Sequence, residues 1–327
     1  MVLAISQNDL KSLLNMEDCI QAVEDGFIQL SLGNVIMPPR TEGKVNDYKG
    51  LFLVMPAYIG KIDKIGLKMV TVYRENPSKH NLPTIMGTVL LADAKTGNLL
   101  AIMDGTYLTA IRTGAASGVA TKHLARKDAK SVGIFGCGIQ AKTQLIAICT
   151  VRNIQNAMVY DVLADQSKKY AIEMSKSLGI NVQTVDSPID AVKGSDVIST
   201  ATTSTQPIFQ GKWLEEGTHV NGVGSHSTTT RELDTFAINR SKVVVDSLDA
   251  CLREAGDIVI PILEKSIEES HVYAEIGEIV SGKKIGRSND NEITLFKSVG
   301  LAVQDISTAN VVYELAKKNG VGKELTL

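Results

Sequence analysis

Residues 131–141 read SVGIFGCGIQA, an apolar strand-like run that breaks into Gly136-x-Gly138-x-x-Ala141 and continues as a helix-like segment. Each small residue has its own task in such a turn. Gly136 permits the tight turn, Gly138 lets a backbone approach a pyrophosphate, and Ala141 lets the helix sit close to the strand. The helix N-terminus then offers unpaired N–H groups and the positive end of its dipole to phosphate. Taken alone the pattern is weak, because a structural turn or a methyl-donor-binding fold uses similar glycines. Its context strengthens it: AMVYD (157–161) reads as the next strand and ends in Asp161, at the spacing of about 20 residues where an acid accepts hydrogen bonds from ribose hydroxyls. The charge of Asp161 repels a 2′-phosphate, and the following Val162, Leu163 and Ala164 supply no arginine to offset it. The expected cofactor is therefore NAD(H) rather than NADP(H).

Working outward, strands and helices alternate from about residue 130. SVGIF, AMVYD, NVQTV (181–185), DVISTAT (196–202), THVNGVG (218–224) and KVVVD (242–246) read as strands. Helices over 138–151, 163–179 and 187–194 separate the first four. Such alternation implies a parallel sheet covered on both faces. The first third reads differently. In MEDCIQAVEDGFIQLSLG (16–33), Ile20, Val23, Phe27 and Leu30 recur at helical spacing and Gly33 ends the run. LFLVMPAY (51–58), IGLKMVTVY (65–73) and TIMGTVLLAD (84–93) read as strands, with a hairpin turn at AKTGN into LLAIMD (99–104). Leu108–Leu124 reads as a helix whose many small residues signal close packing against a subunit or a second domain. LFKSVGLAVQDISTANVVYELAKKNG (295–320) reads as a loop, then a helix over 304–318 with no strand after it, returning to pack on the first domain.

The chain has 327 residues, a length that suggests two domains. It is 44% apolar and 21% charged with net charge −2, so no strong field draws nucleic acid or an anionic membrane. No apolar run approaches the roughly 18 residues of a membrane span. The opening MVLAISQNDLKSLLNMEDC carries acids where a signal peptide would be apolar. A cytoplasmic location is the expectation. Cys19, Cys137, Cys149 and Cys251 form no CxxC pair and no zinc-spaced cluster with histidine, so they are read as thiols and no metal is expected.

Three cations stand out in the N-terminal piece. Arg40 follows two prolines in MPPR (37–40), which stiffens its backbone. Lys68 lies inside an otherwise apolar strand, where a lysine needs a partner. Arg112 falls in the first turn of the small-residue helix. Taken singly, each also reads as a snorkelling or surface-paired side chain. His226 sits in VNGVGSHSTTTRELD (220–234), where a strand passes into a loop. It is read either as a proton shuttle, since histidine titrates near neutral pH, or as a loop cap.

The order of MPPR, LFLVMPAY, GLKMVTVY, LPTIMGTVLLAD, GNLLAIMDGTYLTAIRTGAASGVATKHLA, VGIFGCGIQA, REAGDIVIP and LFKSVGLAVQD resembles the ornithine cyclodeaminase and μ-crystallin family. That family includes archaeal-type alanine dehydrogenases and cyclic ketimine reductases, and the matching pieces span nearly the whole chain. The resemblance implies an α/β fold: a Rossmann-type NAD-binding domain over 119–300, and an α+β substrate and dimerisation domain formed by 1–118 with 301–327. It implies a homodimer joined through that domain. By motif, Arg40 and Lys68 are implied to hold the substrate carboxylate, and Arg112 to contact substrate or cofactor. Thr84, Gly136, Gly138, Ile139, Gln140, Asp161 and Thr202 match cofactor positions. Val220, Asn221, Gly222 and Val223 are implied to line the nicotinamide, and Ser298 and Val299 to close the site.

Two departures separate this chain from the cyclodeaminases it resembles. They carry a glutamate where Leu53 stands, and Leu53 cannot accept the distal ammonium of ornithine. They, and some alanine dehydrogenases, place an aspartate at the position of His226. The expected activity is therefore NAD(H)-dependent oxidoreduction at the C–N bond of a small 2-oxo, 2-imino or amino acid. Either pyruvate plus ammonia gives L-alanine, or a cyclic ketimine such as pyrroline-2-carboxylate is reduced. Lys68 and His226 are the candidate catalytic residues. The alternatives are ornithine cyclodeamination and a μ-crystallin-like dinucleotide binder without significant turnover.

Overall fold

The computed structural model describes residues 1–326. In chain order its strands are β1 (Val2–Ile5), β2 (Val35–Ile36), β3 (Thr41–Val45), β4 (Gly50–Ile59), β5 (Lys64–Tyr73), β6 (Ile85–Asp93), β7 (Leu99–Asp104), β8 (Ser131–Phe135), β9 (Asn156–Tyr160), β10 (Asn181–Thr184), β11 (Val197–Thr200), β12 (His219–Gly222), β13 (Lys242–Val245), β14 (Val272–Glu275), β15 (Thr294–Lys297) and β16 (Lys323–Leu325). They belong to two compact units, Met1–Arg112 with Leu301–Leu327, and Thr113–Gly300. The break falls after Arg112, inside the helix Gly105–Leu124, rather than at the expected 118/119. The reason is local: from Gly114 onward this helix lies against the helix Ile139–Val151, where a Cβ on Gly114 would come 2.5 Å from the Thr143 carbonyl oxygen.

In the first unit the sheet order is β16-β1-β7-β6-β5-β4-β2, with β3 also paired to β4. Neighbours are antiparallel except β1 and β7. The side-chain period of two sorts β4 and β5 cleanly. Leu53, Met55, Ala57 and Ile59 of β4 are buried, as are Lys68 and Val70 of β5, whereas Ile65 and Met69 are exposed. The helix Met16–Ser31 packs on the helix Ala302–Asn319, which covers the buried face. Asn15 caps the first of these by accepting from the Asp18 amide, and Gly320, at φ +64°, ends the second. The C-terminal helix thus returns to the first unit as expected. A strand does follow it: β16 pairs antiparallel with β1, contrary to the sequence reading. That strand is three polar-leaning residues at a sheet edge, too short to show alternation.

In the second unit every pairing is parallel and the order is β10-β9-β8-β11-β12-β15-β13-β14. From β8 the chain builds β9 and β10 to one side, then returns to add β11 and β12 on the other. Such a switch leaves a crevice beyond the carboxyl ends of β8 and β11, where ligands of doubly wound sheets sit. β15, whose residues 295–297 are read from sequence as loop, lies between β12 and β13. Its four residues are all buried, so no alternation distinguished them.

The C-terminal helix seats closely on β5 because position 66 has no side chain. A Cβ on Gly66 would lie 2.4 Å from Ile306 Cδ1 and 2.7 Å from the Leu90 carbonyl oxygen. Backbone on one side leaves no room to give. Gly66→Ala is therefore expected to cost about 1–3 kcal/mol of stability, read as a lowered Tm; an unchanged Tm would show that the helix is not seated in this way.

Candidate active site

The first unit gathers charge on the buried face of its sheet. Lys68, on β5, is 1% exposed and Asp305, on the C-terminal helix, is fully buried. The Lys68 ammonium lies 2.9 Å from Asp305 Oδ1 and 2.8 Å from Oδ2. Arg112 donates to the same carboxylate from Nε, at 2.9 Å, and from Nη1 to Gln304 Oε1 at 2.7 Å. Two cations therefore share one carboxylate, leaving a surplus positive charge out of water. Such a charge is costly unless an anion answers it. Burial pushes the Lys68 pKa down to about 7; the Arg112 charge adds to this, the Asp305 carboxylate opposes it, and Arg40 also lowers it. Arg112 stands two turns into its helix rather than in the first, because the helix begins at Gly105. Arg40 follows β2 in the MPPR segment, and Thr84 precedes β6, its carbonyl accepting from the Tyr73 amide.

The second unit carries the glycine loop at the crevice. Gly136 has φ +89°, and a Cβ there would meet the Ala201 carbonyl oxygen at 2.6 Å. Only glycine fits that turn. Gly138 caps the helix Ile139–Val151, and no atom lies within 4 Å of where its Cβ would be. That open space beside unpaired helix N–H groups suits a phosphate. Ala141 is fully buried against the strand. A cavity of about 530 Å³ includes Gly136, Gly138, Asp161 and Thr202 in its lining. Asp161 accepts from the Cys137 amide at 2.8 Å and the Leu163 amide at 2.9 Å, so it also fixes the loop it faces. Ile139 is 64% exposed at the helix start, and the Gln140 Oε1 is buried with no hydrogen-bond partner among the described residues. These features fit a dinucleotide.

Strand β12 and its loop differ from expectation. Val220 is fully buried within the apolar core with Phe135 and Ile198. Asn221 points the other way, donating to Thr121 Oγ1 at 3.0 Å and facing His219 Nε2 at 3.2 Å. Both side chains are engaged inside the unit, and the cavity's lining includes none of Val220, Asn221, Gly222 and Val223. His226 is exposed, its Nδ1 3.3 Å from the Gly224 carbonyl. Ser298 donates to Asp246 Oδ2 at 2.7 Å, and the Val299 and Gly300 amides donate to the same oxygen. The thiols are all free, and no cluster that could hold a metal occurs among the described residues. No helix of the described residues is long and apolar enough to cross a membrane.

Sequence reasoning found Lys68 but not its partner. Asp305 shares a helix face with Thr308, Ala309 and Val312, all buried, and an acid on an apolar stripe was the available signal. The buried Asp246, Asp257, Glu232 and Lys297 were likewise passed over. Lys297 carries the same signal as Lys68, a charge amid an apolar run, in a stretch taken for a loop.

The sequence model of the ornithine cyclodeaminase/mu-crystallin family matches residues 2–320. A Δ(1)-pyrroline-2-carboxylate reductase of Bacillus cereus is 41% identical over 325 residues, covering 99% of both chains. The structure of the Thermococcus litoralis Δ(1)-pyrroline-2-carboxylate reductase in complex with NADH and L-proline superposes with a TM-score of 0.96 at 49% identity, over 99% of this chain and 100% of that one. An archaeal alanine dehydrogenase dimer with bound NAD superposes with a TM-score of 0.94 at 38% identity, over 100% and 99% of the two chains. Similarity at this level runs end to end through both units, and the chain belongs to the ornithine cyclodeaminase/mu-crystallin family.

Proposed function

We propose that this protein is an NADH-dependent reductase of a small cyclic 2-imino acid, converting Δ(1)-pyrroline-2-carboxylate to L-proline. The observation that carries the reading is the surplus positive charge of Lys68 and Arg112 over Asp305, which suits a substrate carboxylate. The likeness to the two pyrroline-2-carboxylate reductases supports the choice of imino acid. Bound NADH supplies a hydride to the imine carbon, and the ring nitrogen takes a proton. The glycine loop holds the pyrophosphate, and Asp161 takes the ribose hydroxyls and disfavours a 2′-phosphate. Lys68, Arg112 and Arg40 hold the carboxylate, which fixes the imine carbon for transfer. Lys68 also reaches toward the imine nitrogen, and His226 is the second candidate for delivering its proton. Reductive amination of pyruvate is the second reading, favoured by the archaeal alanine dehydrogenase relative. Cyclodeamination of ornithine fits poorly, because Leu53 lies on the buried face with Lys68 and offers no acceptor for a distal ammonium.

An NADH-oxidation assay with Δ(1)-pyrroline-2-carboxylate, and separately with pyruvate plus ammonia, tests the activity. Lys68→Met should lower kcat/KM on the imino acid about 10- to 150-fold, the worth of one charge-assisted hydrogen bond of about 1.5–3 kcal/mol. The loss on 1-pyrroline, which has no carboxylate, should be smaller than on the imino acid by the carboxylate's share. Equal losses on both would remove the carboxylate role.

The Lys68 shift makes a pH prediction. In the free protein its pKa is lowered to about 7, and an arriving carboxylate favours the ammonium form. Binding therefore draws a proton onto Lys68 wherever it is neutral. The Kd of pyrrole-2-carboxylate, a stable analogue, should be flat below pH 7 and rise toward tenfold per pH unit above it. In Lys68→Arg, which stays charged, the rise should vanish; a rise that persists would assign it to another group.

The outer face of the first unit's sheet points to a second copy of the chain. Val54, Pro56 and Tyr58 of β4, and Ile65, Leu67 and Met69 of β5, face away from the covering helix and keep solvent exposure. An apolar sheet face of this kind marks an interface, and the archaeal alanine dehydrogenase relative is a dimer. Met69 is 47% exposed at its centre. Met69→Glu should halve the mass seen by sedimentation equilibrium; a mass unchanged from wild type would place the interface elsewhere.

A further inference from the structure

Three charged side chains of the second unit have no part in that reading. Glu232, Asp257 and Lys297 are each fully buried. The Glu232 carboxylate accepts four hydrogen bonds. Oε1 takes the Thr202 amide at 2.7 Å and the Thr202 hydroxyl at 2.8 Å. Oε2 takes the Thr200 hydroxyl at 2.8 Å and the Gly224 amide at 2.7 Å. One side chain thus ties the loop that leaves β11 to the loop that leaves β12. The fit is close: a Cβ on Gly224 would lie 2.4 Å from Glu232 Oε1 and 2.4 Å from the Thr202 carbonyl oxygen.

Glu232 is itself held from behind. Its amide and that of Leu233 donate to Asp257 Oδ1 at 2.8 and 2.9 Å. Asp257 Oδ2 lies 2.8 Å from the Lys297 ammonium, which donates to the Ser225 carbonyl at 2.7 Å. The circuit therefore closes on the loop where it began, one residue before His226. Each carboxylate oxygen faces one backbone N–H, which can only donate, and one threonine hydroxyl. An amide NH₂ at either oxygen's place would leave one backbone N–H unpaired in the interior.

We propose that Glu232 is a positioning residue for the dinucleotide, holding Thr202 at the wall of the cavity through the buried Glu232–Asp257–Lys297 circuit. The inference rests on reading that cavity as the NADH site. Thr202 lines it together with the glycine loop, and its amide and hydroxyl, both turned to Glu232, fix the loop against Gly136. Rigid supports of this kind set how well a site is organised before its ligand arrives.

The test is NADH binding, followed by fluorescence titration on the whole protein, alongside the Tm. Wild type is expected to bind NADH; its failure to do so would remove the cofactor reading itself. Given wild-type binding, Glu232→Gln should raise the NADH Kd at least tenfold at temperatures well below its Tm. The KM for the imino acid at saturating NADH should move less than twofold. Thr202→Val should weaken NADH binding too, and the double variant should bind no worse than Glu232→Gln alone. Thr200→Val, which removes one hydroxyl outside the cavity, is the milder variant should Glu232→Gln not fold, and it should raise the Kd about threefold. A lowered Tm with an NADH Kd within twofold of wild type in Glu232→Gln, or in Thr200→Val where it alone folds, would reduce Glu232 to a structural role. Independent, multiplying effects of the Glu232 and Thr202 changes would do the same.

Discussion

The carboxylate of Asp305 binds three remote parts of the chain at one point. Lys68 comes from a central strand, Arg112 from the helix Gly105–Leu124, and Asp305 from the C-terminal helix, 237 positions beyond Lys68. None of the three charges has solvent to fall back on. Removing Asp305 from such a buried set leaves two cations uncompensated, at a cost of about 3–5 kcal/mol. The first unit must therefore be discontinuous: the chain leaves it after Arg112, builds the parallel sheet, and returns to deliver Asp305. Gly66 makes that return possible by letting the helix approach β5. Fold and candidate chemistry depend on the same contact, because the cations that would greet a substrate anion are those that dock the last helix.

A second pattern governs the parallel sheet. Loops leaving its carboxyl ends expose backbone N–H groups with no strand to receive them, and such groups seek partners. Here carboxylates supply them. Asp161 takes the Cys137 amide of the glycine loop. Glu232 takes Thr202 and Gly224 after β11 and β12. Asp246 takes Val299 and Gly300 after β15. Successive loops at one edge of the sheet are thus each fixed by an acid.

How much of this the sequence disclosed follows from what periodicity can carry. The Rossmann unit was legible because strand, glycines, helix, strand and acid occur in one order over 131–161. Lys68 was legible because a lone charge interrupts an apolar strand. Asp305 was not, since an acid in a helix reads as solvent-facing until the partner element is known. Val220 and Asn221 were assigned to the cofactor as a block, although a strand turns successive side chains to opposite faces; one went to the core and the other to Thr121. Residues 295–297 were taken for a loop because a strand buried on both sides shows no alternation. β15 and β16 were missed as elements, whereas Asp305, Val220 and Asn221 turned on which surface an element meets.

Leu53 acquires a second meaning from this geometry. Met55 is the cross-strand partner of Lys68 and Leu53 that of Val70, so Leu53 stands diagonally beside Lys68 on the same buried face. An acid at that position would accept a distal ammonium, as expected of cyclodeaminases. It would also place a second carboxylate near two cations. The surplus positive charge would then be cancelled within the protein, and an arriving carboxylate would meet a neutral site. With leucine, the two cations face the single carboxylate of Asp305 and one positive charge stays in surplus. The residue that offers no acceptor to a second amine thus also preserves the charge that, on the proposed function, would meet an imino acid's carboxylate. A single apolar side chain can separate the two chemistries because every charge around it is buried and has few alternatives.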